Sequence, residues 1–371
     1  MRRPPVVPRV RVIDSDTHID ETEDTWNWLQ KHELQYKPTT AYPPNQDPSR
    51  PPARYWMVDG RRQPRFLKDD ERTQTTVATR ELLDPMARVR HMDDLGTEVQ
   101  VIYPSLFLVG VTDKPEMEFA LKRSYNRWLA DRTQMTGGRL RWVCLPPLMD
   151  IDKAIEEVRF AKANGACAVM KKGDREAGHW VNEEYYFPFY EACERLDLPI
   201  VFHIGSGVPD FTSSREFPWG RFARLGAPPL HAFFNLVTFG VPAKFPGIRW
   251  GFIEAGASWV PFLVYDLRRR MSRNLAGDGG STPKGYSYEL ATDIVTKNKF
   301  WITCQVDEDL PYILQYTGED HLLVGSDYTH ADASQEMDFP ARLQERAANG
   351  EIPQSAIQKI THENGKVFYG L

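Results

Sequence analysis

Cysteine is scarce. The 371-residue chain has four, Cys144, Cys167, Cys193 and Cys304, and no two show the CxxC spacing of a zinc ribbon or a redox pair. Three of them fall in or beside strand-like runs, which predicts buried, reduced thiols in a cytoplasmic protein and no disulfide framework. Long apolar runs are missing too: none approaches about 18 residues, so no membrane span is expected. The start, Met1-Arg2-Arg3-Pro4-Pro5, lacks the apolar stretch of a signal peptide. Nor is there an excess of positive charge: 46 Lys and Arg stand against 51 Asp and Glu, for a net charge of −5. That balance argues against nucleic acid as a partner, because phosphate binding needs a concentrated basic face. The one dense basic run, Arg268-Arg269-Arg270, is expected to close the last turn of a helix.

Core-forming material is plentiful. Hydrophobic residues make up 41% and charged residues 26%, as in an ordinary globular protein. Apolar, β-branched runs of strand length recur at 10–16, 99–104, 140–146, 166–171, 199–204, 249–254, 299–304 and 322–326. Helical patterns lie between them. One covers 85–95, from Asp84-Pro85 to Gly96; another covers 115–136, from Pro115 to Gly137-Gly138; a third is capped by Asp150 or Asp152 and ends at Gly165. Tyr186 to Leu196 supplies a fourth. Strands alternating with helices imply a parallel sheet, and eight repeats predict closure into a distorted (β/α)8 TIM barrel, an α/β fold with 1–371 as one domain.

Two segments break the repeat. Residues 20–80 are too long for one strand-to-helix connection and carry Trp26, Trp28, Tyr36, Tyr42, Tyr55 and Trp56, with six prolines from Pro38 to Pro52. A free linker would hold fewer aromatics, so 20–80 is expected to be a lid inserted over the barrel mouth. Residues 205–248, which include His231, are expected to hold a helix and part of the rim.

Active sites of such barrels sit at the C-terminal ends of the strands. Asp16-Thr17-His18 follows the first apolar run, and residues two apart on a strand share a face. His203 closes Pro199-Ile200-Val201-Phe202-His203, and Asp327 follows Gly325-Ser326 after the eighth run. A buried carboxylate without a partner is costly, and a cation would supply that partner. Asp16, His18, His203 and Asp327 are therefore the expected metal ligands. Each also has a plainer reading, as turn carboxylate or core histidine. Glu254 ends the sixth strand on the same rim. His231, His330 and Lys172 are weaker candidates; Lys171-Lys172 either positions an acidic substrate or is simply solvated. Asp14 either reaches the site or accepts an imidazole N–H from behind. His179, His321 and His362 are expected at the surface or as caps.

The order of features resembles the amidohydrolase-related family. The residues that carry the resemblance are Asp16-x-His18, Pro199 to His203, Phe245-Pro246-Gly247-Ile248-Arg249-Trp250 and Glu254-x-Gly256-x-x-Trp259-x-Pro261. Leu323-Val324-Gly325-Ser326-Asp327-Tyr328-x-His330 and the terminal Asn364-x-x-x-Phe368-Tyr369-Gly370-Leu371 complete it. The branch it is most similar to contains aminocarboxymuconate-semialdehyde decarboxylase and the resorcylate-type decarboxylases. The resemblance implies zinc or manganese held by Asp16, His18, His203 and Asp327, and either hydrolysis or non-oxidative decarboxylation of an aromatic or muconate acid. It implies an oligomer, homo- or hetero-. One departure stands out: those relatives usually carry a histidine on the sixth strand, and this chain has Glu254. The resemblance also reaches a few members with two iron or manganese ions that use dioxygen, and an extra carboxylate with His231 suits a second hard cation.

The resulting expectation is an enzyme acting on a small molecule through one divalent metal, which lowers the pKa of bound water towards about 7. Asp327, Glu254 and His231 are the expected catalytic groups, and Lys172, His330 and Trp259 the expected substrate contacts. A dinuclear oxygenase and a non-catalytic subunit of a hetero-oligomer remain as alternatives.

Overall fold

The computed structural model describes residues 11–44, 53–65, 67–209, 220–272 and 290–371. The eight apolar runs form one parallel sheet: β1 (Ile13–Ile19), β5 (Val99–Pro104), β6 (Leu140–Cys144), β7 (Ala166–Lys171), β8 (Ile200–His203), β9 (Trp250–Ile253), β10 (Phe300–Thr303) and β11 (Leu322–Leu323), in that order. Backbone bonds then join the last strand region to the first. Ser15 N donates to Val324 O (3.0 Å), Asp327 N to Asp16 O (2.9 Å) and His18 N to Tyr328 O (2.9 Å), closing the barrel.

Local signals set the helices. Asp84 caps Pro85–Leu95 by accepting from Met86 N, and Gly96 ends it in the left-handed region. Pro115–Gln134 stops two residues short of the expected 136. Asp150, not Asp152, caps Ile151–Ala163, accepting from Lys153 N. The helix Val260–Ser272 has Arg269 and Arg270 in its last turn, where cations oppose the helix dipole favourably.

Between sheet and helices lies an aromatic layer. Phe202 stacks on Trp250 with centroids 6.1 Å apart, and Phe233 of the helix Ala227–Thr238 meets Phe252 at 5.3 Å and Phe300 at 4.9 Å. Each such side chain contributes roughly 1.5–3 kcal/mol by leaving water.

The first strand differs from expectation: it runs over Ile13–Ile19, where 10–16 was predicted. Asp14 and Asp16 are of a type depleted in strands. Here pairing with β5 through His18↔Tyr103 and Ile19↔Pro104 holds them extended.

Residues 20–80 contain a separate antiparallel sheet, β2 (Thr39–Ala41), β3 (Arg54–Val58) and β4 (Arg61–Arg65). Trp56 meets Trp26 edge-on at 5.8 Å, and the Arg65 guanidinium lies over the Trp56 ring, 3.8 Å from its centroid. Lys68 Nζ bonds Asp20 Oδ1 at 2.5 Å and Thr329 Oγ1 at 3.1 Å, tying this insertion to the mouth ends of β1 and β11. Among the described residues no helix is long and apolar enough to cross a membrane.

Candidate metal centre

The site starts with an irregularity in β1. Its register against β5 shifts between Asp14 and Thr17, a bulge that resets the inward–outward alternation. Asp16 and His18 consequently share the interior, with Asp16 Oδ1 3.4 Å from His18 Nε2. Asp14 is turned away: its two oxygens accept from Ser326 N (2.9 Å) and Ser326 Oγ (2.6 Å), not from an imidazole. Burial pushes the Asp14 carboxyl up to about 7 despite those bonds.

His203, the last residue of β8, brings Nε2 to 3.3 Å from Asp16 Oδ1 and 3.2 Å from Glu254 Oε2. The two histidines are oriented alike from behind. His18 Nδ1 lies 2.9 Å from Pro104 O, and His203 Nδ1 lies 3.1 Å from Ile204 O. A carbonyl can only accept, so each Nδ1 carries a proton, and in the neutral ring Nε2 presents its lone pair to the interior. Arg88, fully buried, donates to His18 O at 2.8 Å and fixes the backbone there.

Glu254 arrives by an unusual route. His203 pairs with Ile253, so simple alternation would turn the next residue outward. Glu254 instead has a left-handed backbone, φ +63°, and Thr303 Oγ1 accepts from its N–H at 2.7 Å. The turn brings Oε2 to 3.6 Å from His18 Nε2. Asp327 repeats the device with φ +52°, its Oδ1 standing 3.5 Å from His18 Nε2 and 2.6 Å from His330 Nδ1. Non-glycine residues in this region cost of order 1–3 kcal/mol, and such strain collects at functional sites.

Ligand-capable atoms of Asp16, His18, His203 and Glu254 lie within 4.8 Å of one another. His18–Asp327–His330 and Glu254–Asp327–Asp332 form two overlapping groups. His18 Nε2, Glu254 Oε2 and Asp327 Oδ2 are buried with no hydrogen-bond partner. Buried acceptors converging without donors fit a cation.

The electrostatics agree. Burial opposes the charged form of Asp16, but the neighbouring His18 and His203 outweigh it and hold the carboxyl well below the usual range. Burial likewise works against His18, yet Asp16 and Glu254 push it up to about 9, so a proton and a cation compete for its Nε2 lone pair. Asp327 is raised well above the usual carboxylate range by burial and by the neighbouring Glu254 and Asp16. His330 is driven well below its usual value by burial and by the positive charge of His18, Lys68 and His203.

Other expected site residues lie elsewhere. His231 is exposed, edge-on to Trp180 at 6.2 Å, because its helix buries the stripe Ala232, Phe233, Leu236 and Val237 instead. Trp259 packs on Phe233 and Phe252 in the outer aromatic layer, its Nε1 donating to Gly256 O. Lys172 is buried, not solvated. His179 pairs with Glu183, whereas His362, expected at the surface or as a cap, is buried. Arg88, Thr303 and Asp332 were not singled out in the sequence. A helical Arg and a strand Thr carry no signal of their own, since their roles come from strands distant in the chain.

Comparison with known proteins points the same way. The amidohydrolase family model matches residues 13–371. The chain is 21% identical over 251 residues to 2-amino-3-carboxymuconate-6-semialdehyde decarboxylase of Dictyostelium discoideum, covering 66% of each protein. In three dimensions it is similar to an amidohydrolase from Mycobacterium avium subsp. paratuberculosis, with a TM-score of 0.75, 20% identity and 98% of both chains covered. It is also similar to 5-carboxyvanillate decarboxylase of Novosphingobium aromaticivorans, solved with manganese and 3-methoxy-4-hydroxy-5-nitrobenzoic acid. There the TM-score is 0.67 at 17% identity, over 98% of this chain and 97% of the other. At these identities the structural likeness is one of fold.

Proposed function

The chain belongs to the amidohydrolase family, and from that premise we propose that it is a metal-dependent carboxy-lyase acting on a small aromatic or unsaturated organic acid. The observation that carries this reading is the convergence of two backbone-oriented imidazoles with the carboxylates of Asp16 and Glu254, and with Asp327 3.5 Å from His18. Asp16, His18 and His203, with Glu254 and Asp327, would hold one manganese or zinc ion, which supplies Lewis acidity towards the carboxylate of the substrate. The decarboxylase relatives support the lyase direction over hydrolysis.

The chain's own residues then handle the proton. Asp327, with Oδ1 2.6 Å from His330 Nδ1, is the group placed to deliver a proton to the carbon losing CO2. His330 on Asp327 Oδ1 passes the replacement proton inward. Glu254 stands where the relatives' sixth-strand histidine is expected, so the acid role falls to Asp327. The insertion of residues 20–80, anchored to both sides of the mouth through Lys68, serves as the lid that excludes water. Four buried, unpaired cysteines suit a reducing, cytoplasmic setting.

Metal analysis of the purified chain tests the reading. One manganese or zinc per chain, lost in His203→Ala, together with CO2 release that needs no oxygen, is the expected result. Wild type and His203→Ala with equal metal content would end it. A second reading, two ions and dioxygen chemistry, is favoured by the overlapping groups around Glu254, Asp327 and Asp332. It predicts two ions per chain and oxygen uptake.

A further inference from the structure

The helix Asn364–Tyr369 closes the end of the barrel opposite the mouth, and three strands hold it there. Beside β11, Asn364 Nδ2 donates to Leu322 O at 2.7 Å and to Glu319 O at 2.8 Å. Just before β9, Arg249 Nε donates to Phe368 O at 2.7 Å. The Phe368 ring fills the space that a side chain on Gly251 would need, since a Cβ there would lie 2.5 Å from it. Gly365 comes as near to β1, where an added Cβ would stand 3.0 Å from Ile13 Cγ2. Tyr369 is thus fixed at its backbone, and it is buried.

Its hydroxyl reaches inward. Tyr369 Oη donates to Ser15 O at 3.1 Å and lies 3.0 Å from Tyr103 Oη. A carbonyl offers no proton and a phenol has one, so Tyr369 gives its own to Ser15 and Tyr103 donates to Tyr369.

Both branches end against the metal centre. Ser15 precedes Asp16, and the bulge leaves the two without register partners in β5. Tyr369 holds the carbonyl side of the peptide they share, and Asp14 Oδ1 lies 3.4 Å from its amide N. Tyr103 is paired with His18 across β1 and β5, so its side chain also points inward. Its ring centroid lies 4.9 Å from that of His203 and 6.1 Å from that of His18. One phenol therefore holds the backbone that carries Asp16 and the ring that supports both imidazoles.

We propose that Tyr369 is a positioning residue of the metal centre: its hydroxyl sets where Asp16 stands relative to His18 and His203. The closed end of the barrel thereby governs metal binding at the mouth. This rests on the metal-dependent reading and adds to it a residue that touches neither metal nor substrate. An ion is bound tightly only by ligands held in one geometry, and losing the groups behind the ligands typically lowers affinity about 10–100-fold.

Tyr369→Phe deletes the hydroxyl and keeps the ring. Tyr190→Phe is its control, because Tyr190 is equally buried and its Oη donates to Val181 O at 2.7 Å, in the aromatic layer beside Trp250. Calorimetry with manganese should show Tyr369→Phe binding about tenfold more weakly than wild type. The electron paramagnetic resonance spectrum of the bound manganese should change with it, reporting a distorted ligand set. Tyr190→Phe should match wild type in both readouts, although each variant loses one buried bond and similar stability in denaturant unfolding. Tyr103→Phe, which leaves the Ser15 bond in place, should lose less affinity than Tyr369→Phe. A Tyr369→Phe with wild-type affinity and spectrum overturns the proposal; so does an equal loss in Tyr190→Phe, which would mark the effect as general loosening. Should wild type take up no manganese, the metal-dependent reading falls separately. The ring proton resonances of His18 and His203 in metal-free protein then decide the role of Tyr369: they should move in Tyr369→Phe and not in Tyr190→Phe, and unmoved resonances overturn it.

Discussion

The body of the barrel and its mouth are built by opposite rules. Around Phe202, Trp250, Phe252 and Phe233 every large group is apolar and in contact, and the strands alternate regularly. At the mouth, Asp16, His18, His203, Glu254 and Asp327 are just as buried yet polar, with acceptors left unmatched and left-handed backbone at two strand ends. The aromatic layer is stabilised by leaving water. The mouth is stable only with a cation or protons among its carboxylates, and the cost is carried by the layer beneath it. Within β1 the contrast narrows to two residues: Asp14 is satisfied by Ser326, whereas Asp16 faces the imidazoles.

Substitutions on the two sides should separate cleanly. The largest effect is expected for Asp327→Asn, a loss of roughly 10²–10⁴-fold in turnover, with the melting temperature close to wild type; an active Asp327→Asn enzyme would break the contrast at once. On the other side, Phe252→Ala should cost about 3–5 kcal/mol of stability and leave manganese content unchanged, as read by denaturant unfolding and metal analysis.

Glu21 belongs to the mouth but not to the metal. It accepts from Ser105 N and Leu106 N, and burial pushes its carboxyl up from 4.5 to about 7. A raised carboxyl favours the folded state most below its unfolded pKa, so on the order of 3 kcal/mol should be lost as pH rises from about 4.5 to about 7. Glu21→Gln should flatten that part of the stability–pH profile, and an unchanged slope would show that the shift is not there. The smallest effect is expected for Thr303→Val, which removes the bond to Glu254 N. It should cost about 1 kcal/mol and weaken manganese binding, because the Glu254 turn loses its support; calorimetry with manganese measures it.

Much of the barrel can be read from the chain. Each of the eight runs becomes a strand, because short β-branched segments between capped helices leave few alternatives. The site is only partly legible. His203 ends its strand, Glu254 and Asp327 follow theirs, and Asp16 and His18 lie in the second half of β1, so position along the apolar runs flags them. His231 and Trp259 looked equally suitable but point into solvent and into the aromatic layer, since a helix face and a sheet side are chosen by packing. Asp14 matched the alternation and was turned away by a bulge that no residue announces.

Sequence by itself determined the alternating strands and helices, the family, and which residue types stand at the strand ends, because periodicity and capping act over a few neighbouring residues. Tertiary structure alone decided which of those ends meet. The bulge in β1 and the left-handed turns at Glu254 and Asp327 arise from contacts between segments far apart in the chain, and such contacts leave no local pattern.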